Sequence, residues 1–342
     1  MNPGTDPAAL SYAQRFEDQY LLACFADRPD GFYLDIGAGH PVFDNVSFAF
    51  YLRGWQGIAV EPNPALAALA RAVRPRDEVV EALVADAPGE ADFFLVEDFH
   101  GLSTMHAAHA RQAEDQFQKP SRAMRRRVTT LRALCETIAA EIDFLKIDVE
   151  GAEAAVIAGG DWTRHRPKAI VVEALAPYSL TPAWDRYEPV LFAHGYRYGR
   201  FDSLNRYYVR EDEPEILRRL QQAPDSFPER MQFRNRKPPL DDAGHPDAGL
   251  ARIVAGAALT RLPLLPENIL VSLLTAGLPD LDRTADANDL AQAAARLFGD
   301  RAGALPPELL AGEPSVRELY ARIARTDAFR TGCGRISASY AW

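Results

Sequence analysis

From Gly31 to Val209 short apolar runs alternate with segments of helical spacing, and no other feature of the chain restricts its fold so tightly. Strands of one run each can lie parallel only if the chain crosses back over the sheet between them, and a helix is the usual crossover. The rhythm therefore predicts a mostly parallel sheet covered by helices on both faces. Strands are expected at Phe32–Ile36, Ile58–Glu61, Val79–Val84, Asp143–Asp148 and Ile170–Ala174. The first, fourth and fifth are almost unbroken apolar runs, as strands buried on both faces must be, so they belong at the centre. Tyr196–Phe201 and Arg206–Val209 flank the turn-forming Asp202-Ser203-Leu204-Asn205 and predict an antiparallel hairpin that closes the sheet. Helices are expected over Val46–Arg53, Pro64–Val73, Ala152–Ala158 and Trp184–His194, the second opening on a proline suited to a first turn. The whole is a Rossmann-like, seven-stranded α/β pattern.

At 342 residues and 47% hydrophobic content the chain can bury one large α/β domain and a smaller unit. The expected division is a helical lead-in over 1–30, the α/β domain over 31–212, a linker over 213–249 punctuated by Pro224, Pro228, Pro238, Pro239 and Pro246, and a helical region over 250–342. In that last region Leu290, Ala294 and Leu297 form one apolar stripe and Val316, Leu319 and Ile323 another. A net charge of −10 offers no positive field to a phosphate backbone, so nucleic acid is not an expected partner. The cluster Arg122, Arg125, Arg126 and Arg127 reads as a solvated helix face in a polar insertion, Val96 to Leu131, over the edge of the site. Cys24, Cys135 and Cys333 are widely spaced, which fits a reducing compartment. No secretory leader and no run long enough for a membrane span is found, so a cytoplasmic protein is expected.

The sharpest local signal is Tyr33-Leu34-Asp35-Ile36-Gly37-Ala38-Gly39-His40, an apolar strand running into a glycine turn, where open α/β sheets bind their ligands. Gly37 and Gly39, with Ala38 between them, let the backbone turn sharply and approach a ligand closely. A dinucleotide fingerprint would need a third glycine where Val42 stands, which counts against a nicotinamide cofactor. Asp35 ends an apolar strand and needs a partner; a cationic ammonium over the turn, such as the amino-acid end of S-adenosyl-L-methionine, would supply one. Glu61 ends the next strand, where a carboxylate accepts hydrogen bonds from ribose hydroxyls, and Asp86 follows the third, where it could accept from an adenine amino group. Each acid has a plainer reading as the cap of a turn or helix.

The fourth strand leaves the sheet as Phe144-Leu145-Lys146-Ile147-Asp148-Val149-Glu150-Gly151-Ala152-Glu153. Lys146, Asp148 and Glu150 alternate, so an extended backbone puts all three on one side, with Glu173 at the end of the fifth strand nearby. Such a cluster tunes proton affinity at a site, or else forms a buried ion-pair network that orients loops. Asp148, Glu150, Glu153 and Glu173 are oxygen ligands of the kind magnesium and calcium take, and His106 lies three residues from His109. No metal-ligand spacing stands out, and the expectation is of no metal.

These segments, joined by Ser11-Tyr12-Ala13-Gln14-Arg15-Phe16-Glu17-Asp18, Arg53-Gly54-Trp55, Glu61-Pro62-Asn63-Pro64, Gly101-Leu102-Ser103-Thr104 and Leu204-Asn205-Arg206-Tyr207-Tyr208-Val209, give the chain its likeness to a known family. In that order, from Ser11 to Arg210, it resembles the FkbM-type methyltransferases, and the Lys-Ile-Asp-Val-Glu-Gly run is the most specific part. The resemblance implies a class I methyltransferase fold, S-adenosyl-L-methionine as donor, and O-methylation of sugars, surface polysaccharides or secondary metabolites. Family members often carry Asn after the Gly-Ala pair, where this chain has Gly39.

For such a reaction Asp148 is the first choice of general base. Lys146 would orient it or steady charge on the acceptor oxygen, with Glu150 as second acceptor. His40, beside the glycine turn, is the alternative base. Acceptor contacts are expected from Val96–Arg127 and from Pro177–Trp184, where Tyr178 and Trp184 could stack on a sugar ring. Two other readings compete. A nicotinamide-dependent sugar oxidoreductase or epimerase shares the sheet but lacks support from the glycine pattern. A non-catalytic binding module would use the helical tail to recruit partners. That tail could pair two subunits as a homodimer, lid the acceptor site, or dock onto a glycan-synthesis partner.

Overall fold

A computed structural model describes residues 10–96, 103–177, 179–242, 244–298 and 305–339. Gly101, Leu102 and Tyr178 lie outside the described residues, as does the start of the lead-in. The chain divides into two compact units, Met1–Lys237 and Pro238–Trp342.

The first unit begins with helix α1 (Glu17–Cys24), strand β1 (Phe32–Ile36), the single turn α2 (Phe48–Tyr51), β2 (Gln56–Val60), α3 (Pro64–Val73) and β3 (Glu78–Val80). A second group follows: β4 (Leu83–Ala85), β5 (Gly89–Leu95), α4 (Ala107–Phe117), β6 (Arg122–Thr130) and α5 (Leu131–Cys135). The chain then returns through β7 (Phe144–Ile147), α6 (Glu153–Ala158), β8 (Ala169–Glu173), α7 (Glu188–Ala193), β9 (Tyr196–Phe201), β10 (Asn205–Arg210) and α8 (Pro214–Gln222). Seven strands form the main sheet in the order β3-β2-β1-β7-β8-β10-β9. All neighbours are parallel except β10, which runs antiparallel to both β8 and β9. The chain winds outward from β1 in one direction and from β7 in the other, so a crevice opens at their carboxyl ends.

Strand alternation sorts the core. Leu34, Ile36, Leu145, Ile147, Ile170 and Val172 pack with Leu131, Val156, Ile157 and Leu191 from α5, α6 and α7. Tyr33, Phe144, Ala169 and Val171 pack with Tyr20, Leu21, Ile216 and Leu220 from α1 and α8. Asp35 and Lys146 are register partners on β1 and β7, and by the same alternation they share the second face. Helix α3 starts where its composition says it should, with Asn63 accepting a hydrogen bond from the Ala65 amide and Pro64 in the first turn.

Several local expectations need correction. Val79–Val84 is two strands: β3 ends on the main sheet, and β4 joins a separate three-stranded sheet of order β4-β6-β5. The arginine cluster lies on β6, not on a helix. Gln118 closes α4 with φ 53°, and Pro120 prevents the helix from continuing. Strand β5, which carries no strong apolar alternation, supplies acidic partners, Glu90 and Asp92 lying 3.5 and 3.3 Å from Arg125. Trp184–His194 breaks into a 3-10 turn at Trp184–Arg186 and then α7, whose first turn holds Pro189. The stretch read as linker opens with α8, an amphipathic helix that buries Ile216 and Leu220.

The second unit holds α9 (Ala248–Thr260), α10 (Glu267–Thr275), α11 (Ala287–Phe298), α12 (Val316–Ala324) and α13 (Asp327–Ser339). Its core joins Ala293 and Ala294 to Val316, Leu319, Tyr320 and Ile323, the stripes seen in the sequence. Ser315 and Glu318 form a reciprocal capping box at the start of α12. Among the described residues no helix is long and apolar enough to cross a membrane, and all three cysteines are free and buried.

Candidate active site

A cavity of about 550 Å³ opens at the β1/β7 crevice, a size suited to a nucleoside-sized ligand. Its floor is the glycine turn. Gly37 and Gly39 have φ of 74° and 62°, a region that side chains avoid. A Cβ on Gly37 would lie 1.8 Å from the Asp148 carbonyl oxygen, so only glycine lets the turn pass this close to the exit of β7. The Gly37 and Ala38 amides both donate to the Val60 carbonyl at 3.0 Å, fastening the turn to the end of β2.

Glu61 continues that attachment. One carboxylate oxygen accepts from the Gly39 amide and the other from the Asn63 amide, each at 2.8 Å. Burial pushes its carboxyl up to about 7 against the opposing pull of those two amides. Glu61 also lines the cavity, as the sequence suggests.

Lys146 is the hub between β1 and β7. Its Nζ donates to the Gly37 carbonyl at 2.7 Å and lies 3.5 Å from Asp35 and 3.4 Å from Asp148. Burial opposes its charge, but Asp148 and Asp35 outweigh it and hold the ammonium protonated, so Lys146 acts as a fixed cation and not as a proton acceptor.

Two of the residues expected to contact a cofactor stand away from the cavity lining. Asp35 is fully buried and does not line the cavity. Its partners are Ser47 Oγ, which donates at 2.6 Å, and Lys146; the cation it needs comes from the chain itself. Asp86 is exposed beyond β4 and also lies outside the lining, its backbone close against Gly159 at the end of α6. Ala82, Leu83 and Val84 occupy that side of the cavity instead.

Behind Asp35 lies a polar network that sequence reasoning missed. Arg74, buried at the end of α3, donates to Ser47 Oγ and Tyr33 Oη at 2.8 Å, to Asn45 Oδ1 at 3.2 Å and to Asp77 at 2.7 Å. Asn45 in turn donates to the Ala38 carbonyl at 2.9 Å. Arg74 is thus linked to the glycine turn by two routes, through Asn45 and through Ser47, Asp35 and Lys146. Nothing in the local sequence marks a helix-terminal arginine as buried; its role depends on four segments meeting.

On the other side of the cavity Asp148 and Glu150 follow β7. Burial, then the charges of Asp148 and Glu153, lift the Glu150 carboxyl well above its ordinary range. Glu173 is raised by burial and by Asp148 and Glu150. Single oxygens of Asp148, Glu150 and Glu173 gather within 4.8 Å of one another. Glu150 has φ 53° and Gly151 φ 102°, and this sharp exit is braced from outside. Thr104 Oγ1 donates to the Glu150 carbonyl at 3.0 Å, and His109 Nδ1 lies 3.3 Å from the same oxygen. His106 and His109 pack edge to face at 5.1 Å; His109 stands where a side chain on residue 151 would collide. Burial and then His109 lower the His106 imidazole. Glu153 is occupied as a cap, accepting from the Val149 and Gly151 amides at 3.1 Å.

His40 lines the cavity, and its Nδ1 accepts from the Val42 and Phe43 amides at 3.1 and 2.9 Å. Gln14, Asp44, Ser103 and Thr104 also border the cavity, placing the segments around Ser11–Asp18 and Gly101–Thr104 at its rim. Trp184 has Arg206 at 4.1 Å over its ring, so that face is already stacked by the chain's own guanidinium.

The sheet order, the crevice at its reversal and the glycine turn tied to an acid on β2 define a class I methyltransferase fold. Residues 35–198 match the family model of the methyltransferase FkbM domain. Residues 35–198 therefore carry an FkbM methyltransferase domain, which supports a methyltransferase. A comparison with curated proteins finds no match.

Proposed function

We propose that the chain is an S-adenosyl-L-methionine-dependent O-methyltransferase whose acceptor is a hydroxyl of a sugar, a glycan or a secondary metabolite. The observation that carries this reading is the pairing, across one cavity, of a Glu61-anchored glycine turn with the Lys146–Asp148 pair. The turn suits a nucleoside: Gly37 lets it pass close against the exit of β7, and Glu61 presents a carboxylate to ribose hydroxyls. When bound, S-adenosyl-L-methionine supplies a sulfonium methyl whose transfer forms a C–O bond and breaks the C–S bond, the electron pair staying on sulfur.

The chain's own work is to align the acceptor and remove its proton. Asp148 is the base. Lys146 fixes its orientation from 3.4 Å and steadies negative charge developing on the oxygen. Glu150, with its raised carboxyl, is the second acceptor. His40 is less suited to be the base: Nδ1 already accepts two backbone amides, which leaves the ring proton on Nε2 and makes that edge a donor. The same reading puts the reaction in the cytoplasm. It divides the chain as lead-in, methyltransferase domain, linker and helical region, and gives residues 250–342 a partner role, toward a second copy or a glycan-synthesis protein.

Calorimetric titration with S-adenosylhomocysteine tests the donor, run in parallel on Glu61→Ala and with a nicotinamide dinucleotide as control. Binding that is lost in Glu61→Ala supports the reading, and dinucleotide binding in its place overturns it. Asp148→Asn should keep S-adenosylhomocysteine binding and lose single-turnover methylation; retained turnover removes Asp148 from the role of base.

A further inference from the structure

We infer that Asp148, Glu150 and Glu173 form a binding site for a divalent cation, open on the cavity side to oxygens of the acceptor. Three carboxylate oxygens, one from each residue, lie within 4.8 Å of one another. Ligands about 2.1–2.5 Å from a shared magnesium, manganese or calcium ion fall within such a span. Acids gather at protein sites without a metal, so this spacing alone carries little.

The second observation concerns Glu173. Its Oε2 is shut off from solvent and, among the described residues, accepts no hydrogen bond. A buried carboxylate oxygen without a donor is costly unless a proton or a cation meets it. Lys146 does not meet that need: its contacts are Gly37, Asp35 and Asp148. Glu153 stands outside the set: its Oε1 accepts from the Val149 and Gly151 amides, and no oxygen of it is among those that gather. Three acids therefore converge with one lysine already shared between two carboxylates.

An all-carboxylate set selects a hard ion, and three such ligands leave about half of an octahedral shell for water and substrate. Asp148 and Glu150 line the donor cavity, so those open positions face the place where an acceptor hydroxyl must lie. The acceptor best matched is one with two adjacent oxygens, a vicinal diol or a hydroxy acid. Coordination would make the hydroxyl proton easier for Asp148 to remove. The acceptor part rests on the O-methyltransferase reading above; the cation site does not.

The test is titration of the full chain with Mn²⁺ alone, followed by electron paramagnetic resonance and water-proton relaxation, with Mg²⁺ and Ca²⁺ as competitors. The expected result is one saturable Mn²⁺ per chain with Kd on the order of 10⁻⁴ M or tighter and enhanced water relaxation from open positions. Glu173→Gln should weaken it at least about tenfold, whereas Glu136→Gln at the surface should not. Absence of saturable binding in the unaltered chain, or binding unchanged by Glu173→Gln, overturns the site. Saturable binding without relaxation enhancement overturns its role toward the acceptor. S-adenosylhomocysteine titrations on the same samples separate the failures: donor binding without Mn²⁺ defeats the cation site alone, and Mn²⁺ without donor binding defeats the donor reading alone.

Discussion

Replacing Lys146 with methionine keeps the side-chain length but removes the cation shared by Asp35, Asp148 and the Gly37 carbonyl. Asp35 is fully buried, so its 3.5 Å contact with the ammonium is worth about 5 kcal/mol at an effective dielectric of about 20. The 2.7 Å bond to Gly37 adds about 1.5–3 kcal/mol as a charge-assisted hydrogen bond. Against these stands the cost of burying the lysine itself, which the variant no longer bears. Removing one partner of a buried pair typically leaves a net loss of about 3–5 kcal/mol, because the other charge stays behind. Ser47 continues to donate to Asp35, which places Lys146→Met at the lower end. Urea unfolding followed by the fluorescence of Trp55 and Trp162, both buried in the first unit, measures the loss. The second half of the prediction is the rescue: adding Asp35→Asn should recover more than half of it, since the stranded charge is then gone. A loss below about 1 kcal/mol, or no recovery in the double variant, would refute the view that Lys146 neutralises Asp35.

Other consequences can be checked with the same protein. Gly37→Ala should abolish S-adenosylhomocysteine binding, since its Cβ meets the Asp148 oxygen at 1.8 Å; Gly39→Ala, with nothing within 4 Å, should pay only the left-handed backbone cost of about 1–2 kcal/mol and still bind. Equal behaviour of the two in calorimetry would contradict the close approach of the turn to β7. Burial lifts Glu17 to about 8, Glu61 to about 7 and Asp18 to about 6, so the folded chain holds protons that the unfolded chain releases near 4.5 and 3.8. Stability is then fullest below those unfolded values and falls as pH rises toward 8; urea midpoints should decline across that window, less steeply in Glu17→Gln. A chain ending at Lys237 should unfold cooperatively, because the two clusters flanking the main sheet are built from residues before that point. A fragment without a cooperative transition would show that the sheet's stability depends on the second unit.

How much of this was legible in advance depended on whether the signal was local. The central strands of the main sheet declared themselves through apolar runs and their spacing, since a strand buried on both faces has no room for polar residues, and the terminal hairpin announced its turn, whereas β3 at the edge was merged with β4. The glycine turn, Glu61 and the charged exit of β7 stood out because glycine pairs and charges beside a buried strand are expensive without a purpose. Strand β5 did not stand out, for its partner β6 is close in space and the two stabilise each other by pairing, not by a periodic apolar face. The arginines of β6 looked helical for the same reason.

The distribution of partners was beyond local reading altogether. Asp35 invited an external cation because the lysine that meets it lies on a strand 111 residues away by position, brought alongside only by parallel register. Arg74 gave no sign of burial, and Asp86 gave none of exposure. Sequence determined which residues are costly to bury and therefore which ones need partners, because that cost belongs to each side chain and its immediate neighbours. Only the tertiary structure decided which partner each one meets, because pairing depends on distances between segments that the order of residues does not contain.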